Sequence, residues 1–404
     1  MTVTIKKGIA EGAVTAPPSK SMAHRSLICG AFSSGSKIGG VHMSKDIEAT
    51  LACLKDLGAN ASIDGDVVSI GGLDVSCSHS GISIYANESG STLRFLIPIV
   101  LLFDDEITIT GTKRLFERSL GIYEEMCAQR GLGFELVENG VKLRGPLQSG
   151  VFEVRGDVSS QFISGLLFAL PLCKGDSIIR IVGELESASY IDLTLGSLKE
   201  FGIAIERPDS KTFLIKGNQS YKPNDTIVEG DYSNAAFFEA LNFIGGSVEV
   251  SGLNPDSMQG DRVYKILFSK IEKEEFPIDI SDCPDLAPIL FAMAAYKGRG
   301  EFVGTRRLKI KESDRAEAMK QELEKMGAEV TVGENSVNIV CSELVAPKER
   351  INGHNDHRIV MAMSVLATLT GAEIEEAEAV SKSFPDFFSR LEALGIEVII
   401  NETE

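Results

Sequence analysis

Hydrophobic and polar positions along this chain separate two kinds of helix. Six stretches, Met22 to Phe32, Gly90 to Phe103, Ser160 to Leu172, Ser233 to Ile244, Asp285 to Tyr296 and Asp356 to Leu369, are apolar on nearly every face. A helix of that composition is stable only when buried. The second kind carries Lys and Glu on one side and ends in Leu-x-x-hydrophobic-Gly, at Gly58, Gly202, Gly327 and Gly395, with a looser copy at Gly131. Its glycine is the expected left-handed stop. The stops recur at about seventy-residue intervals, except for a double gap between Gly202 and Gly327 that leaves room for a degenerate copy near Lys265 to Glu275. Most are followed by two alternating runs around a polar tip, as in Asn60 to Ile70, Phe134 to Leu143 and Val330 to Val340, which predicts hairpins.

Six repeats, each βαβαββ-like, follow from this pattern, and the fold class is α/β with helices inside and sheets outside. Three repeats would close one domain. The expected division is an N-terminal lobe of residues 19–227 and a C-terminal lobe of residues 1–18 plus 228–404. The chain would cross between them near Ala16-Pro17-Pro18 and again between Thr226 and Asp231, where Pro and Gly interrupt the pattern.

Composition narrows the function. Lys and Arg total 40 against 58 Asp and Glu, a net charge of −18, which excludes a general nucleic-acid binder and a basic membrane-surface protein. An anionic ligand must therefore be held by a local basic cluster. The seven cysteines, Cys29, Cys53, Cys77, Cys127, Cys173, Cys283 and Cys341, form no CxxC pair, and they are expected to be reduced core residues. The N-terminus has no apolar signal core, and the longest apolar run, Ile359 to Ala372, falls short of the ~20 residues that span a bilayer. A cytoplasmic protein without a membrane partner is expected. No metal-ligand spacing is visible, so no cofactor is expected either.

Candidate chemistry sits where the apolar helices begin. Pro18-Ser-Lys-Ser-Met-Ala-His-Arg25 places Lys20 and Ser21 at a helix start, with Arg25 one turn on. Ser89-Gly90-Ser-Thr-Leu-Arg94 offers glycine-exposed amides and an Arg four residues later. Val158-Ser-Ser-Gln161 offers two hydroxyls and an amide, and Asn355-Asp-His-Arg358 offers a capping carboxylate, an imidazole and a guanidinium. Helix N-termini attract anions and disfavour Lys and Arg. Basic residues that recur there, at Lys20, Arg25 and Arg358, are thus better explained by anionic ligands than by helix stability. Arg315, opening a polar helix in Lys311-Glu-Ser-Asp-Arg315, belongs with them. Thr112-Lys-Arg-Leu-Phe-Glu-Arg118 and Lys382 are further basic motifs. Within the first, Arg118 is read as the partner of a surface carboxylate. His24 and His354 are read as packing or solvent residues, and His357, between Asp356 and Arg358, as a catalytic candidate.

In order along the chain, Pro17-Pro-Ser-Lys-Ser, Glu88-Ser-Gly-Ser-Thr-Leu-Arg94, Val158-Ser-Ser-Gln161, Lys311-Glu-Ser-Asp-Arg315 and Asn355-Asp-His-Arg358 resemble the EPSP synthase family of enolpyruvyl transferases. The resemblance runs from about Lys20 to Arg390. It implies two inside-out α/β barrel domains joined by a double crossover hinge that closes around substrates. It also implies transfer of the enolpyruvyl group of phosphoenolpyruvate to the 5-hydroxyl of shikimate 3-phosphate, a step towards chorismate and the aromatic amino acids, with release of phosphate. The implied shikimate 3-phosphate set is Lys20, Ser21, Arg25, Ser159, Ser160, Gln161, Ser187, Tyr190, Asp285 and Lys311. The implied phosphoenolpyruvate set is Lys20, Gly90, Arg114, Gln161, Arg315, Arg358 and Lys382. A monomer acting on these two small molecules is expected, sensitive to glyphosate because Gly90 is present.

Addition and then elimination through a tetrahedral ketal requires a proton to leave the 5-hydroxyl and another to reach the methylene carbon. Asp285 is the candidate base for the hydroxyl, Glu312 and Lys20 are candidates for the methylene transfers, and His357 completes the catalytic set. Two alternatives remain. A sister enolpyruvyl transferase acting on UDP-N-acetylglucosamine would begin Lys-Asn where this chain has Lys20-Ser21, and a non-catalytic anion-binding relative would have no need of carboxylates beside two anions.

Overall fold

A computed structural model describes residues 1–401. The chain divides into two compact units, Pro18–Glu229 and Met1–Pro17 with Gly230–Glu404, each with its own hydrophobic core.

The Pro18–Glu229 unit carries three four-stranded sheets of identical topology. In one, Val151–Arg155 pairs parallel with Ser177–Val182, which pairs antiparallel with Thr212–Ile215, and Ile205–Asp209 closes the hairpin. Ser83–Tyr85, Glu106–Thr110, Gly140–Arg144 and Gly133–Val137 repeat the order. So do Thr226–Ile227, Ser36–Gly39, Val67–Gly71 and Asn60–Asp64. The hairpins at 60–71 and 133–144 are the alternating runs of the sequence.

Two sheets of the other unit follow the same plan. Ile278–Asp279, Arg299–Val303, Ser336–Val340 and Glu329–Val332 form one. Ile351–Asn352, Ala372–Glu375, Thr2–Ile5 and Val398–Asn401 form the other, with the chain's first strand inserted between two of its last. The third is reduced to Ser247–Ser251 beside Glu11–Thr15, a parallel pair. This is the degenerate repeat. Its polar helix is Tyr264–Glu272, and the left-handed position beyond it is filled by Glu274 at φ 56° rather than by a glycine, which is why the sequence pattern fades there.

The six apolar helices are Lys20–Phe32, Gly90–Val100, Ser160–Ala169, Tyr232–Phe243, Ala287–Lys297 and His357–Thr370. The last is buried throughout except for its final two residues, as its lack of a polar face demands. Side chains of Ser89, Ser159, Asp231 and Asp356 cap four of them by accepting bonds from Thr92, Gln161, Asn234 and Arg358 backbone N–H groups. Such caps fix where each helix starts and hence where its first-turn side chains lie. Gly58, Gly131, Gly202, Gly327 and Gly395 all take positive φ after the polar helices. One cysteine departs from the expectation of a core role: Cys77 is exposed, in a turn-rich stretch between sheet strands, while the other six are buried. Among the described residues no helix is long and apolar enough to cross a membrane.

Candidate active site

Of the shikimate phosphate residues expected in the Pro18–Glu229 unit, Ser21 and Tyr190 meet Arg25, itself 2% exposed. Its guanidinium donates to Ser21 O at 2.6 Å, to Tyr190 O at 2.9 Å and to Thr194 Oγ1 at 2.9 Å, and Phe95 lies beneath it with the ring centroid 5.2 Å away. Burial brings the Arg25 pKa down to about 10, still cationic at neutral pH. Ser187, buried at the start of the Ala188–Glu200 helix, takes a left-handed φ of 55°, a strained conformation of the kind found where side chains are aimed at ligands. Lys20 is paired with Asp46 at 2.8 Å. Beside it, burial first, then Lys20 and Arg25, hold His24 well below the usual histidine range. His24 is therefore a neutral packing residue, bonded to Thr50 at 2.8 Å.

The start of the Gly90–Val100 helix is built on a missing side chain. A Cβ at residue 90 would come within 2.5 Å of Arg118 Nη1 and 2.9 Å of Arg94 Nη1. Glycine thus lets two guanidiniums close over the start of the helix, an arrangement suited to an anion. Arg94 also donates to Gln161 Oε1 at 3.0 Å, and Gln161 donates to Ser91 at 2.9 Å. The Gly90 and Ser160 helices are fastened together below this point by Tyr123, whose hydroxyl reaches the carbonyls of Arg94 and Phe162 at 2.8 and 3.0 Å. The arginine of the 112–118 motif that lies at Gly90 is Arg118. Arg114, expected there, is exposed on the short Lys113–Glu117 helix. The resemblance placed Arg114 in the phosphoenolpyruvate set and Arg118 was read as the partner of a surface carboxylate, whereas it is Arg118 that approaches Gly90.

In the other unit, Asp285 and the motifs at 311–315 and 355–358 converge. Asp285 Oδ1 accepts from Arg315 Nη1 at 2.7 Å and lies 3.3 Å from Lys311 Nζ, while Oδ2 lies 3.1 Å from Arg358 Nη2. Arg315, 1% exposed, reaches Glu312 at 2.6 Å and Asp356 at 2.8 Å. Asp356 also accepts from Ser313 at 3.0 Å, and Arg358 donates to Ser233 at 3.0 Å. Burial alone would raise the Asp285 carboxyl, but Arg358, Lys311 and Arg315 overcome it and hold the group well below the usual carboxylate range. Burial brings Lys311 down to about 8 in spite of Asp285. Lys382 donates to Asn355 O at 2.6 Å.

His357 is 1% exposed, its Nδ1 3.9 Å from Asp356 Oδ1. Sequence reasoning named Arg94 in its motif without assigning it to either substrate set, read Arg118 as a surface partner, and passed over Asp46 and Ser233. Arg94 was signalled by its place one turn beyond Gly90, whereas Asp46 and Ser233 are identified only by the cations they meet. Among the described residues no cluster of His, Cys, Asp and Glu could hold a metal ion.

The sequence model of EPSP synthase (3-phosphoshikimate 1-carboxyvinyltransferase) matches residues 5–391. A protein of Clostridium kluyveri named 3-phosphoshikimate 1-carboxyvinyltransferase is 41% identical over 424 aligned positions, covering 98% of each chain. One from Clostridium perfringens with the same name is 41% identical over 409, covering 95% of this chain and 96% of its own. In fold the chain is similar to the EPSP synthase of Acinetobacter baumannii, with a TM-score of 0.79 at 21% identity over the whole of both chains. It is also similar to the enolpyruvyl transferase NikO of Streptomyces tendae, with a TM-score of 0.72 at 14% identity over 98% of each. With the site motifs lying inside a match that runs nearly end to end, the chain belongs to the EPSP synthase family.

Proposed function

We infer that the chain transfers the enolpyruvyl group of phosphoenolpyruvate to the 5-hydroxyl of shikimate 3-phosphate, releasing phosphate, in the shikimate pathway. The observation that carries the chemistry is Asp285, a carboxylate kept ionised among three cations. An ionised carboxylate balances those cations, and it is also a group that can accept the proton of a hydroxyl once substrate anions take its partners.

In the proposed assignment, Ser21, Arg25, Ser159, Ser160, Gln161, Ser187, Tyr190 and Lys311 hold shikimate 3-phosphate. Arg118 replaces Arg114 in the phosphoenolpyruvate set, beside Lys20, Gly90, Arg94, Gln161, Arg315, Arg358 and Lys382. The guanidiniums grip carboxylate and phosphate through paired donors. Asp285 accepts the 5-hydroxyl proton. Glu312, within reach of Arg315, and Lys20 serve the methylene carbon, delivering a proton in the addition and removing one in the elimination. His357, 3.9 Å from Asp356, is the further member of the proposed catalytic set.

We further propose that each unit is an inside-out barrel of three βαβαββ repeats. Support comes from the repeated sheet order and from the burial of the apolar helices. The expected setting is a cytoplasmic monomer. A phosphate-release assay with phosphoenolpyruvate tests the function: release should require shikimate 3-phosphate. Release with UDP-N-acetylglucosamine instead, or with neither acceptor, overturns it.

A further inference from the structure

The buried carboxylate of Glu322 lies outside the reaction just described. It occupies the Arg315–Lys325 helix seven residues after Arg315, two turns on and so on the same face. Both side chains are 1% exposed, and both reach the segment that leads into the His357–Thr370 helix. Arg315 meets Asp356. Glu322 meets the turn just before it, accepting from Asn352 N at 2.9 Å with Oε2 and pairing with His354 Nε2 at 2.7 Å through Oε1. Lys325 Nζ, at 2.7 Å, completes its partners.

The turn held in this way is strained. His354 and Asn355 are consecutive non-glycine residues with φ of 49° each, a conformation that side chains disfavour and that persists only when the surroundings impose it. Its strain delivers Asn355 O to Lys382 Nζ at 2.6 Å and Asp356 to Arg315 and Ser313. Asn355 N is fixed in turn by Glu376 at 2.6 Å. We propose that the Glu322–His354 pair is a positioning device that sets the register of the Asn355-Asp-His-Arg358 motif against the Lys311-Glu-Ser-Asp-Arg315 motif, so that Arg315, Arg358 and Lys382 converge on phosphoenolpyruvate. Neither residue touches substrate. Both act through the turn.

This rests on the assignment of those three cations to phosphoenolpyruvate, and the test separates the two ideas. His354→Asn keeps a residue that tolerates the left-handed turn but cannot reach Glu322, and His354→Gln restores an amide donor of similar length. Steady-state phosphate release is measured against each substrate, with thermal unfolding in parallel. The expected result is a KM for phosphoenolpyruvate raised about tenfold in His354→Asn, a KM for shikimate 3-phosphate within twofold of the parent, and recovery in His354→Gln. Glu322→Gln should match His354→Asn if it folds. Because His354 is 22% exposed, its variants remain informative should Glu322→Gln fail to fold. An equal rise in both KM values, no rise in either, or a fall in melting temperature with unchanged kinetics overturns the proposal. Inactivity of the parent enzyme on these substrates would instead overturn the functional reading beneath it.

Discussion

Gly90→Ala tests the geometry of the anion site most directly. The new methyl would sit 2.5 Å from Arg118 Nη1 and 2.9 Å from Arg94 Nη1, against an ordinary contact of 3.4 Å or more. Arg118 must therefore retreat by about 0.9 Å and Arg94 by about 0.5 Å. A charge-assisted hydrogen bond near 2.8 Å that is stretched by most of an ångström loses most of its worth, about 1.5 to 3 kcal/mol. At 1.4 kcal/mol per factor of ten, KM for phosphoenolpyruvate should rise about ten- to hundredfold. Because the methyl is small and the obstructing atoms are ends of flexible side chains, folding should be retained. The assay is phosphate release with each substrate varied in turn, repeated in Arg118→Ala. Removing Arg118 first removes its bond and the larger obstruction, leaving only the smaller one at Arg94, so adding Gly90→Ala to Arg118→Ala should change KM far less than it does in the parent, by about threefold, a coupling that a double-mutant cycle reads directly. Full additivity of the two substitutions, or an unchanged KM in Gly90→Ala alone, would refute the claim that Arg118 works at this glycine. Glyphosate, if it occupies the same site, should lose potency in parallel.

Two further outcomes follow from the charged cluster. Asp285→Asn and Glu312→Gln should each lower turnover by about 10² or more, within the range for general acid and base groups, while circular dichroism stays that of the parent; parental turnover in either variant removes that residue from the proton transfers. Lys311, brought by burial to about 8 from an ordinary 10.5, gives a pH profile whose sign can be worked out. Below about 8 it is charged and binds anion, so kcat/KM for shikimate 3-phosphate should fall about tenfold per pH unit above that value, and Lys311→Arg should stay flat to pH 9. Its folded pKa lies below the unfolded one, so the unfolded chain binds more protons between about 8 and 10.5 and stability rises across that window while activity falls. A parental profile that is flat to pH 9, or one that falls identically in Lys311→Arg, assigns the ionisation to another group.

The parts of this fold that were legible in the sequence are those specified by local rules. Helices without a polar face had to be inside, and a glycine after Leu-x-x-hydrophobic had to end a helix. What escaped depends on partners distant in the chain. Glu11–Thr15 pairs with Ser247–Ser251, and Thr2–Ile5 slots between Ala372–Glu375 and Val398–Asn401, pairings that no local pattern encodes. The same division runs through the site. Lys20, Arg25 and Arg358 stood out because their charge opposes the helix dipole beside them. Arg114 and Arg118 lie four residues apart in one motif, and it is the approach of the Arg118 guanidinium to Gly90 that tells them apart. Glu322 looked like any acidic residue on a polar helix until its burial and its pairing with His354 were seen.

In a chain of net charge −18, the cations around Asp285 face an electrostatic problem that the structure answers with carboxylates. Arg315 is matched by Asp285, Glu312 and Asp356, and Arg358 and Lys311 share Asp285. Without such counter-charges, buried guanidiniums of like sign would repel and be costly to desolvate. Under the proposed reaction, the substrate's phosphate and carboxylate compete for these same cations. Each cation that turns towards substrate leaves a carboxylate with one partner fewer, and a carboxylate deprived of a neighbouring positive charge holds a proton more readily. Asp285, pressed far below its ordinary pKa while three cations surround it, is too weak a base to accept a hydroxyl proton in that condition. Docking of the anions is what makes it basic enough, so binding and proton transfer are coupled through one shared set of charges, and an Asp285 variant should show its defect in turnover rather than in substrate affinity.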